Sequence, residues 1–346
     1  MGAGVIGLSA AWRAAGAGWT VTVHDPAPAR GASWVAGGML APLTEGWPGE
    51  EGPLELGTAS LERWPGFAAR LSAAAGLPSG LRTRGTLVVA VDSADAGELR
   101  VLAGWLAERG RRAESVGRRE LSRREPSLSR SIRGALHVPG DLSVDNRALL
   151  AALRAACVSA GVRFAAERVD DLTAPAADQV VLAAGVGSAA LHPLARVHPV
   201  KGEILRLRER PGTLPRPGLT VRGVVHGRHV YLVPRDDGLV VGATQYEAGH
   251  DTRVTVGGVR DLIADAETVL PSVAEYELDS AQAGLRPMTA DNLPLIGRVD
   301  SGTVLATGHG RNGLLLAPLT ADAVLAELEG EPLPVAASAD PGRVLW

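Results

Sequence analysis

The first residues of the chain carry a glycine spacing that could bind a dinucleotide. Gly2, Gly4 and Gly7 form a G-x-G-x-x-G pattern. In this pattern the first glycine permits a tight turn, the second lets the backbone approach a pyrophosphate, and the third lets a helix pack closely on a strand. Asp25 follows Gly7 by eighteen residues, a distance suited to a carboxylate that accepts hydrogen bonds from an adenosine ribose. The pattern therefore predicts a pyrophosphate-binding turn at a helix N-terminus.

Other reactive groups are scarce, and their absence excludes several chemistries. The chain has no Ser-His-Asp order, no H-E-x-x-H sequence and no Walker loop, and we predict no metal site. Its single cysteine, Cys157, excludes an intrachain disulfide and a cysteine-only zinc site. The net charge of -3 leaves no excess of positive charge for a nucleic acid, so we expect no nucleic-acid partner.

The length and the apolar runs limit the number of domains and indicate where the protein is found. The chain has 346 residues, enough for two domains at ~100–200 residues each. No apolar run reaches the ~20 residues of a membrane helix, so we expect no membrane partner. One thiol and no targeting signal favour the cytoplasm.

The glycine turn must be held by neighbouring elements. Residues 8–17 have apolar side chains at helical spacing, and residues 20–24 alternate and are rich in β-branched side chains, which predicts a helix and then a strand. Turn, helix, strand and acid make up most of a βαβ unit. Such a turn normally follows a strand, but only Met1 precedes it. We therefore expect the first strand to be missing at the N-terminus, through a start-site or truncation artefact.

The middle of the chain has a different character. Residues 202–207, 221–225, 229–235 and 238–244 are strand-like and lie close together, and Arg235-Asp-Asp-Gly238 is a hairpin signal. These features predict a mostly antiparallel sheet inserted between segments of a Rossmann-like domain. The predicted class is α/β (α+β).

Six segments in order resemble one known family. They are residues 30–42, 199–203, 229–235, 241–244, 283–287 and 308–313. Over nearly the whole chain they are similar to the FAD-dependent amine and amino-acid oxidases of the D-amino-acid oxidase type, and most of all to the glycine oxidases of thiamine biosynthesis. The resemblance implies an FAD-binding domain of residues 1–45, 141–198 and 284–346. It implies a substrate-binding domain of residues 46–140 and 199–283.

The resemblance also implies roles for particular residues. Arg286 would bind the substrate carboxylate, since arginine recognises carboxylates through two parallel hydrogen bonds. Arg311 would be a second active-site arginine, and the Tyr231 hydroxyl would hydrogen-bond the carboxylate. His229 and Gln245 are weaker pocket candidates. The implied cofactor-binding residues are Gly2, Gly4, Val5, Ile6, Gly7, Asp25, Ser33, Gly37, Gly38, Met39, Val169, Gly185, His309, Gly310, Arg311, Asn312, Gly313, Leu314 and Leu315.

The implied reaction is hydride transfer from the α-carbon of glycine, or of another small amine, to the flavin. The imine then hydrolyses to glyoxylate and ammonia, and O2 becomes hydrogen peroxide, with the product supplying thiazole synthesis. We expect non-covalent FAD, because Cys157 lies in an apolar helical pattern typical of a buried side chain. The partners would be a small amino acid and O2, and the family often forms homo-oligomers.

Several alternatives stay open. The chain could be a sarcosine or D-amino-acid oxidase or dehydrogenase, or a flavin-binding subunit without turnover. A nicotinamide dehydrogenase is disfavoured by everything after residue 30. Lys201 is the only lysine, and a point charge at that position could assist O2 reduction near the flavin.

Overall fold

The computed structural model describes residues 1–173, 176–225 and 227–345. Its helices are α1 Val5–Gly16, α2 Ala32–Val35, α3 Pro42–Glu45, α4 Glu51–Ala75, α5 Ser93–Glu108, α6 Arg118–Arg124, α7 Asn146–Ser159, α8 Val256–Val269 and α9 Gly313–Glu329. Its strands are β1 Thr22–His24, β2 Met39–Leu40, β3 Leu81–Arg82, β4 Thr86–Ala90, β5 Glu114–Gly117, β6 Gly134–Val138, β7 Leu142–Val144, β8 Arg163–Ala165, β9 Val180–Leu182, β10 His198–Arg208, β11 Thr220–Val225, β12 Arg228–Pro234, β13 Gly238–Gly242, β14 Glu277–Met288, β15 Leu295–Arg298 and β16 Thr303–Thr307. Short 3-10 turns include Gly185–Ala190 and Gly310–Asn312.

The N-terminal half of the predicted βαβ unit forms as expected. Strands β1 and β8 pair in parallel, and β9 continues a second small sheet in the order β15-β16-β9. Met1 and Gly2 lie between these two sheets. The Gly2 amide donates to the His24 carbonyl at 2.9 Å, and the Met1 carbonyl accepts from the Ala183 amide at 2.9 Å. The expectation of a strand before the glycine turn concerns residues outside this sequence and stays an expectation.

Helices pack around this region to form a first core. Side chains of α1, α4, α7 and α9 share one cluster, in which Trp64 and Phe67 of α4 are among the largest buried side chains. Helix α4 follows residue 46, so it falls in the predicted substrate-binding domain, yet it packs on the helices of the glycine turn. The predicted division of the chain into domains stays a prediction.

A large sheet forms the second region. Its strand order is β14-β10-β13-β12-β11-β4-β6-β5. Every neighbouring pair is antiparallel except β11 and β4, which are parallel. Helix α8 covers one face and closes a second core with β10 to β13. The prediction of an α/β protein with a mostly antiparallel inserted sheet is confirmed.

The two long strands at one edge of this sheet reach the region of the glycine turn. Strands β10 and β14 pair from His198 with Met288 to Arg208 with Glu277, with one bulge between Arg206 and Leu207. Because the pairing is antiparallel, residues 200–204 face residues 282–286 across the ladder. No helix among the described residues is long and apolar enough to cross a membrane.

Candidate active site

A cavity of about 590 Å³ lies between the glycine turn, the segment 29–39, β14 and the start of α9. Its wall joins the two regions of the molecule, because Asp25 and Val169 line it together with Tyr231 and Arg286. The sequence-predicted residues on the wall are Gly2, Gly4, Val5, Ile6, Asp25, Ser33, Gly37, Gly38, Met39, Val169, Gly185, Tyr231, Arg286, His309, Gly310, Arg311, Gly313 and Leu314.

The glycine turn has space only for glycine at two of its positions. Gly2 has a φ of +95°, and a Cβ there would lie 2.3 Å from the Ala183 carbonyl oxygen. A Cβ at Gly7 would lie 1.9 Å from the Gly2 carbonyl oxygen. Helix α1 therefore approaches the strand region closely, with its N-terminal residues on the cavity wall. A helix N-terminus so placed is suited to a pyrophosphate.

Two side chains fix this turn. Asp25 accepts a hydrogen bond from the Ala3 amide at 2.7 Å and another from the Ala27 amide at 2.8 Å. Ser33 accepts from the Val5 amide at 3.0 Å, so its hydroxyl caps the first turn of α1. A carboxylate has about four acceptor sites, and the two bonds to Asp25 leave capacity for ribose hydroxyls.

A second helix N-terminus faces the other part of the cavity. Gly310 has a φ of +54° in the 3-10 turn that precedes α9, and Gly313 and Leu314 line the wall. His309 is buried, with its Nε2 3.0 Å from the Thr320 hydroxyl, and burial lowers its pKa to about 3. The ring is therefore neutral, and the positive end of the helix supplies the local field that stabilises negative charge.

Arg286 supplies a guanidinium group to the wall. It lies over Gly202, where a Cβ would be 2.3 Å from its Nη2. Its hydrogen bonds among the described residues go to carbonyl groups: Nη1 and Nη2 lie 3.3 Å from the Thr244 oxygen, and Nη1 lies 3.4 Å from the Lys201 oxygen. Burial lowers its pKa, but a guanidinium keeps its charge in proteins. Such a group is suited to a carboxylate.

Tyr231 lies beside this charge on β12. A Cβ at Gly37 would lie 2.5 Å from the Tyr231 ring, and one at Gly242 would lie 2.4 Å from it. The two glycines therefore leave the slot in which the ring sits. Burial raises the Tyr231 pKa to about 12, so the phenol stays protonated and can donate a hydrogen bond.

Glu45 is a wall residue that the sequence analysis missed. Its carboxylate is 17% exposed and lies 3.7 Å from Arg222. The neighbouring Thr44 hydroxyl accepts from Arg222 at 3.1 Å and donates to Asp141 at 2.7 Å. Burial raises the pKa of Asp141 to about 7. The only sequence signal for Glu45 is its position just after the matched segment that ends at residue 42.

Five predicted residues do not reach the wall of this cavity. Gly7 and Leu315 are buried behind it, and Asn312 lines a small adjacent cavity of about 30 Å³. His229 is exposed near the first residue of β12, where the strand leaves the core. Gln245 is exposed on the segment beyond the end of β13. The structure brings neither His229 nor Gln245 to the pocket, because strand ends and not strand centres carry them.

Lys201 and Cys157 also lie away from the wall. The Lys201 ammonium is buried and lies 3.4 Å from Glu203 and 3.3 Å from Asp251. Cys157 is buried in α7, its thiol donates to the Leu8 carbonyl at 3.3 Å, and burial raises its pKa to about 12. A protonated thiol away from the cavity is not placed to attach a cofactor.

Comparison with known proteins decides the family. A family model described as FAD dependent oxidoreductase matches residues 1–328. The chain belongs to this family. It is an enzyme family, and its cofactor is FAD.

Relatives and solved structures agree with this assignment. A Rhizobium etli protein named as a thiamine biosynthesis oxidoreductase, ThiO, is 34% identical over 342 residues, which cover 96% of this chain and 97% of the relative. The bifunctional protein ThiO/ThiG of Synechocystis is also 34% identical, and the match spans 50% of its length. The crystal structure of glycine oxidase from Geobacillus kaustophilus has a TM-score of 0.88 at 30% identity, covering 98% of this chain and 96% of that one.

The cavity of this oxidoreductase fits FAD. The close approach at Gly2 and Gly7 and the α1 N-terminus suit the pyrophosphate, and Asp25 suits a ribose. The α9 N-terminus suits the end of a flavin ring that gains negative charge on reduction. Helices α1 and α9 belong to the first core, whereas Tyr231 and Arg286 lie on strands β12 and β14 of the large sheet. The cofactor residues and the substrate residues therefore come from different regions.

Proposed function

We propose that the protein is an FAD-dependent oxidase of glycine or a similarly small amine. The overall reaction is glycine, O2 and water giving glyoxylate, ammonia and hydrogen peroxide. The observation that carries the proposal is the buried Arg286 guanidinium on the cavity wall, bonded among the described residues only to carbonyl groups and lying near the Tyr231 hydroxyl. An amino-acid carboxylate is the ligand that completes such a pair.

The protein's own residues bind and orient the substrate. Bound FAD would supply the two-electron oxidising chemistry that takes a hydride from the α-carbon and passes the electrons to O2. Arg286 would hold the carboxylate through two N–H groups, and Tyr231 would donate a third hydrogen bond. A fixed carboxylate limits the positions of the α-carbon, and this orientation contributes rate acceleration without a new chemical group.

Neither Tyr231 nor His309 is suited to act as a general base near neutral pH, and the Glu45 carboxylate is paired with Arg222 at 3.7 Å. Tyr231 has a pKa of about 12 and stays protonated, and His309 is neutral but buried against Thr320. The amine would therefore enter in its neutral form.

The names of the relatives support a place in metabolism. The Rhizobium etli relative is named for thiamine biosynthesis, and the Synechocystis relative is named as a ThiO/ThiG bifunctional protein. We propose that this chain supplies the oxidised glycine product to thiazole synthesis. We also propose non-covalent FAD, which acid precipitation of the holoprotein should release into the supernatant.

Peroxide formation tests this function. The purified holoprotein is assayed with glycine, sarcosine, D-alanine and D-aspartate at equal concentration, and both peroxide and oxoacid are measured. The proposal predicts the highest kcat/KM for glycine or sarcosine and the lowest for D-aspartate. A yellow protein that oxidises D-alanine best would support a D-amino-acid oxidase instead. A yellow protein that releases peroxide with none of these amines would overturn the oxidase proposal.

A further inference from the structure

A buried cluster of Lys201, Glu203 and Asp251 lies behind the cavity wall, next to the backbone that Arg286 contacts. Lys201 is 2% exposed and Glu203 is fully buried, and the two stand two residues apart on β10, on the same face of the sheet. The Lys201 ammonium is surrounded by the Glu203 carboxylate, the Asp251 carboxylate and the Arg253 carbonyl, to which it donates. Three oxygens match its three N–H donors, a balance that a buried charge requires.

Glu203 ties the start of α8 to the same strand. Its carboxylate accepts from the Thr255 amide at 2.8 Å and lies 3.4 Å from the Thr255 hydroxyl. A Cβ at Gly258 would lie 1.6 Å from Glu203 Oε2, so the glycine in the first turn of α8 leaves the space for this carboxylate. A negative group at a helix N-terminus is also electrostatically favourable.

Together these contacts fasten the segment of residues 244–255 along its length. At one end the Thr244 hydroxyl accepts from the Glu203 amide at 2.9 Å. Next to it, Tyr246 and Lys201 exchange two backbone hydrogen bonds of 2.9 and 3.0 Å. The far end is held through Asp251, Arg253 and Thr255, as described above. The segment is therefore held at its start by backbone groups of β10 and at its end by the Lys201 and Glu203 side chains.

The same segment and strand hold the acceptors of Arg286. The carbonyls of Thr244 and Lys201 receive its N–H groups, and Thr252 of the segment lines the cavity. Gly202 lies between the two charged residues and faces the opposite side of β10, where Arg286 covers it. The guanidinium is thus oriented by two backbone carbonyls, one on β10 beside the buried cluster and one at the start of the segment that the cluster holds at its far end.

We propose that Lys201 is a positioning residue for carboxylate recognition, which together with Glu203 and Asp251 fixes the 244–255 segment and so orients Arg286. This inference rests on the proposed function, in which Arg286 binds the substrate carboxylate. It replaces the idea of Lys201 as a charge for O2 reduction, because two carboxylates compensate the ammonium and it lies off the cavity wall.

The mildest test is Asp251→Asn, which weakens the contact between Lys201 and the 244–255 segment. It leaves no buried charge unpaired, because Lys201 still pairs with Glu203. Its matched control is Asp261→Asn on α8, since the two carboxylates are 29% and 30% exposed and each pairs with an arginine. The double variant Lys201→Met/Glu203→Gln removes both buried charges together, and flavin content and thermal unfolding confirm that each protein is folded.

Rapid-reaction measurements on the holoproteins separate the two possible roles. Glycine binding is taken from anaerobic flavin reduction, acetate binding from the flavin spectrum, and the O2 reaction from reoxidation of the reduced protein. We expect both Kd values to rise about ten-fold in Asp251→Asn and further in the double variant, with reoxidation and Asp261→Asn unchanged. Folded variants with unchanged Kd values, or slower reoxidation with unchanged Kd values, would overturn the inference.

Arg286→Met distinguishes failure of this inference from failure of the proposed function. If Arg286→Met weakens acetate and glycine binding while the cluster variants do not, the positioning role is wrong and the function stands. If Arg286→Met leaves both affinities unchanged, the carboxylate site is elsewhere and the inference falls, while peroxide release by the parent protein with glycine still decides the proposed function.

Discussion

The two ends of the cavity are built in different ways. At the cofactor end, the shape is set by backbone: Gly2 and Gly7 leave space that any Cβ would fill, and helix N-termini provide the field. At the substrate end, single side chains such as Arg286 and Tyr231 provide the chemistry, and glycines only make room for them. Flavin binding should therefore be lost when an atom is added at the cofactor end. Substrate binding should be lost when a functional group is removed at the substrate end.

The largest effect is expected from Gly7→Ala. The added Cβ would lie 1.9 Å from the Gly2 carbonyl oxygen, so α1 must shift away from the turn. The cost is at least the ~1–3 kcal/mol typical of overpacking, and we expect purified protein without bound flavin. Gly16→Ala at the other end of α1 is the control, since a Cβ there meets nothing within 4 Å. Flavin absorbance per protein is measured for both variants. A Gly7→Ala protein with full flavin content would contradict the idea that the cofactor end is set by backbone shape.

Arg286→Met should produce the opposite pattern. The variant removes a charge-assisted partner of the substrate but no atom of the cofactor end. We expect full flavin content and a loss of about 10²–10³ in kcat/KM for glycine, which corresponds to ~3–4 kcal/mol. Arg124→Met, in an exposed helix pair with Glu120, is the control and should match the parent protein. Loss of flavin in Arg286→Met would show that the two ends are not separable.

A smaller effect is expected from Tyr231→Phe. The ring still fills the slot between Gly37 and Gly242, and only the hydroxyl is lost. One hydrogen bond to a carboxylate accounts for about a ten-fold rise in KM with little change in kcat. Tyr276→Phe is the control, because that hydroxyl donates to the Leu214 carbonyl at 3.1 Å in the second core. An unchanged KM for Tyr231→Phe would remove Tyr231 from the carboxylate site.

The smallest effect concerns His309 at the start of α9 and the pH dependence of the free energy of unfolding. The pKa of His309 is about 3 in the folded protein against 6.5 as its ordinary value, so the unfolded chain binds the proton first. The free energy of unfolding should then fall as pH falls below about 6, by up to ~1.4 kcal/mol per pH unit from this group. His309→Gln should flatten that slope in urea unfolding, while His250→Gln, on the exposed segment, should not. The same pH dependence of the free energy of unfolding in the parent protein and in both variants would contradict this role of His309.

The prediction of the cofactor end rests on local patterns. The glycine spacing and Asp25 lie within the first 25 residues, and the structure places Arg286 and Tyr231, which the resemblance named, on the wall of the same cavity. Their particular roles stay predictions until the variants are measured. The fold class was also accessible, because alternation and hairpin signals are local properties of strands.

Long-range contacts explain what sequence reasoning could not reach. Glu45 is held at the wall by Arg222, and its neighbour Thr44 is held by Asp141, and both partners are distant in sequence. The i, i+2 spacing of Lys201 and Glu203 shows that they share a face of a strand, but not which face lines the cavity. Gln245 was expected in the pocket because it follows a matched segment, and the chain leaves the sheet at that point.

Anaerobic addition of glycine to the holoprotein is the sharpest test of a glycine-oxidising site built on Arg286. We expect stoichiometric glycine to bleach the visible flavin absorbance of the parent protein. We expect the Arg286→Met protein, with the same flavin content, to stay oxidised until far higher glycine concentrations. Bleaching of both proteins at the same glycine concentration would contradict a substrate end built on Arg286. A parent protein that holds flavin and is reduced by neither glycine nor sarcosine would contradict the proposed reaction.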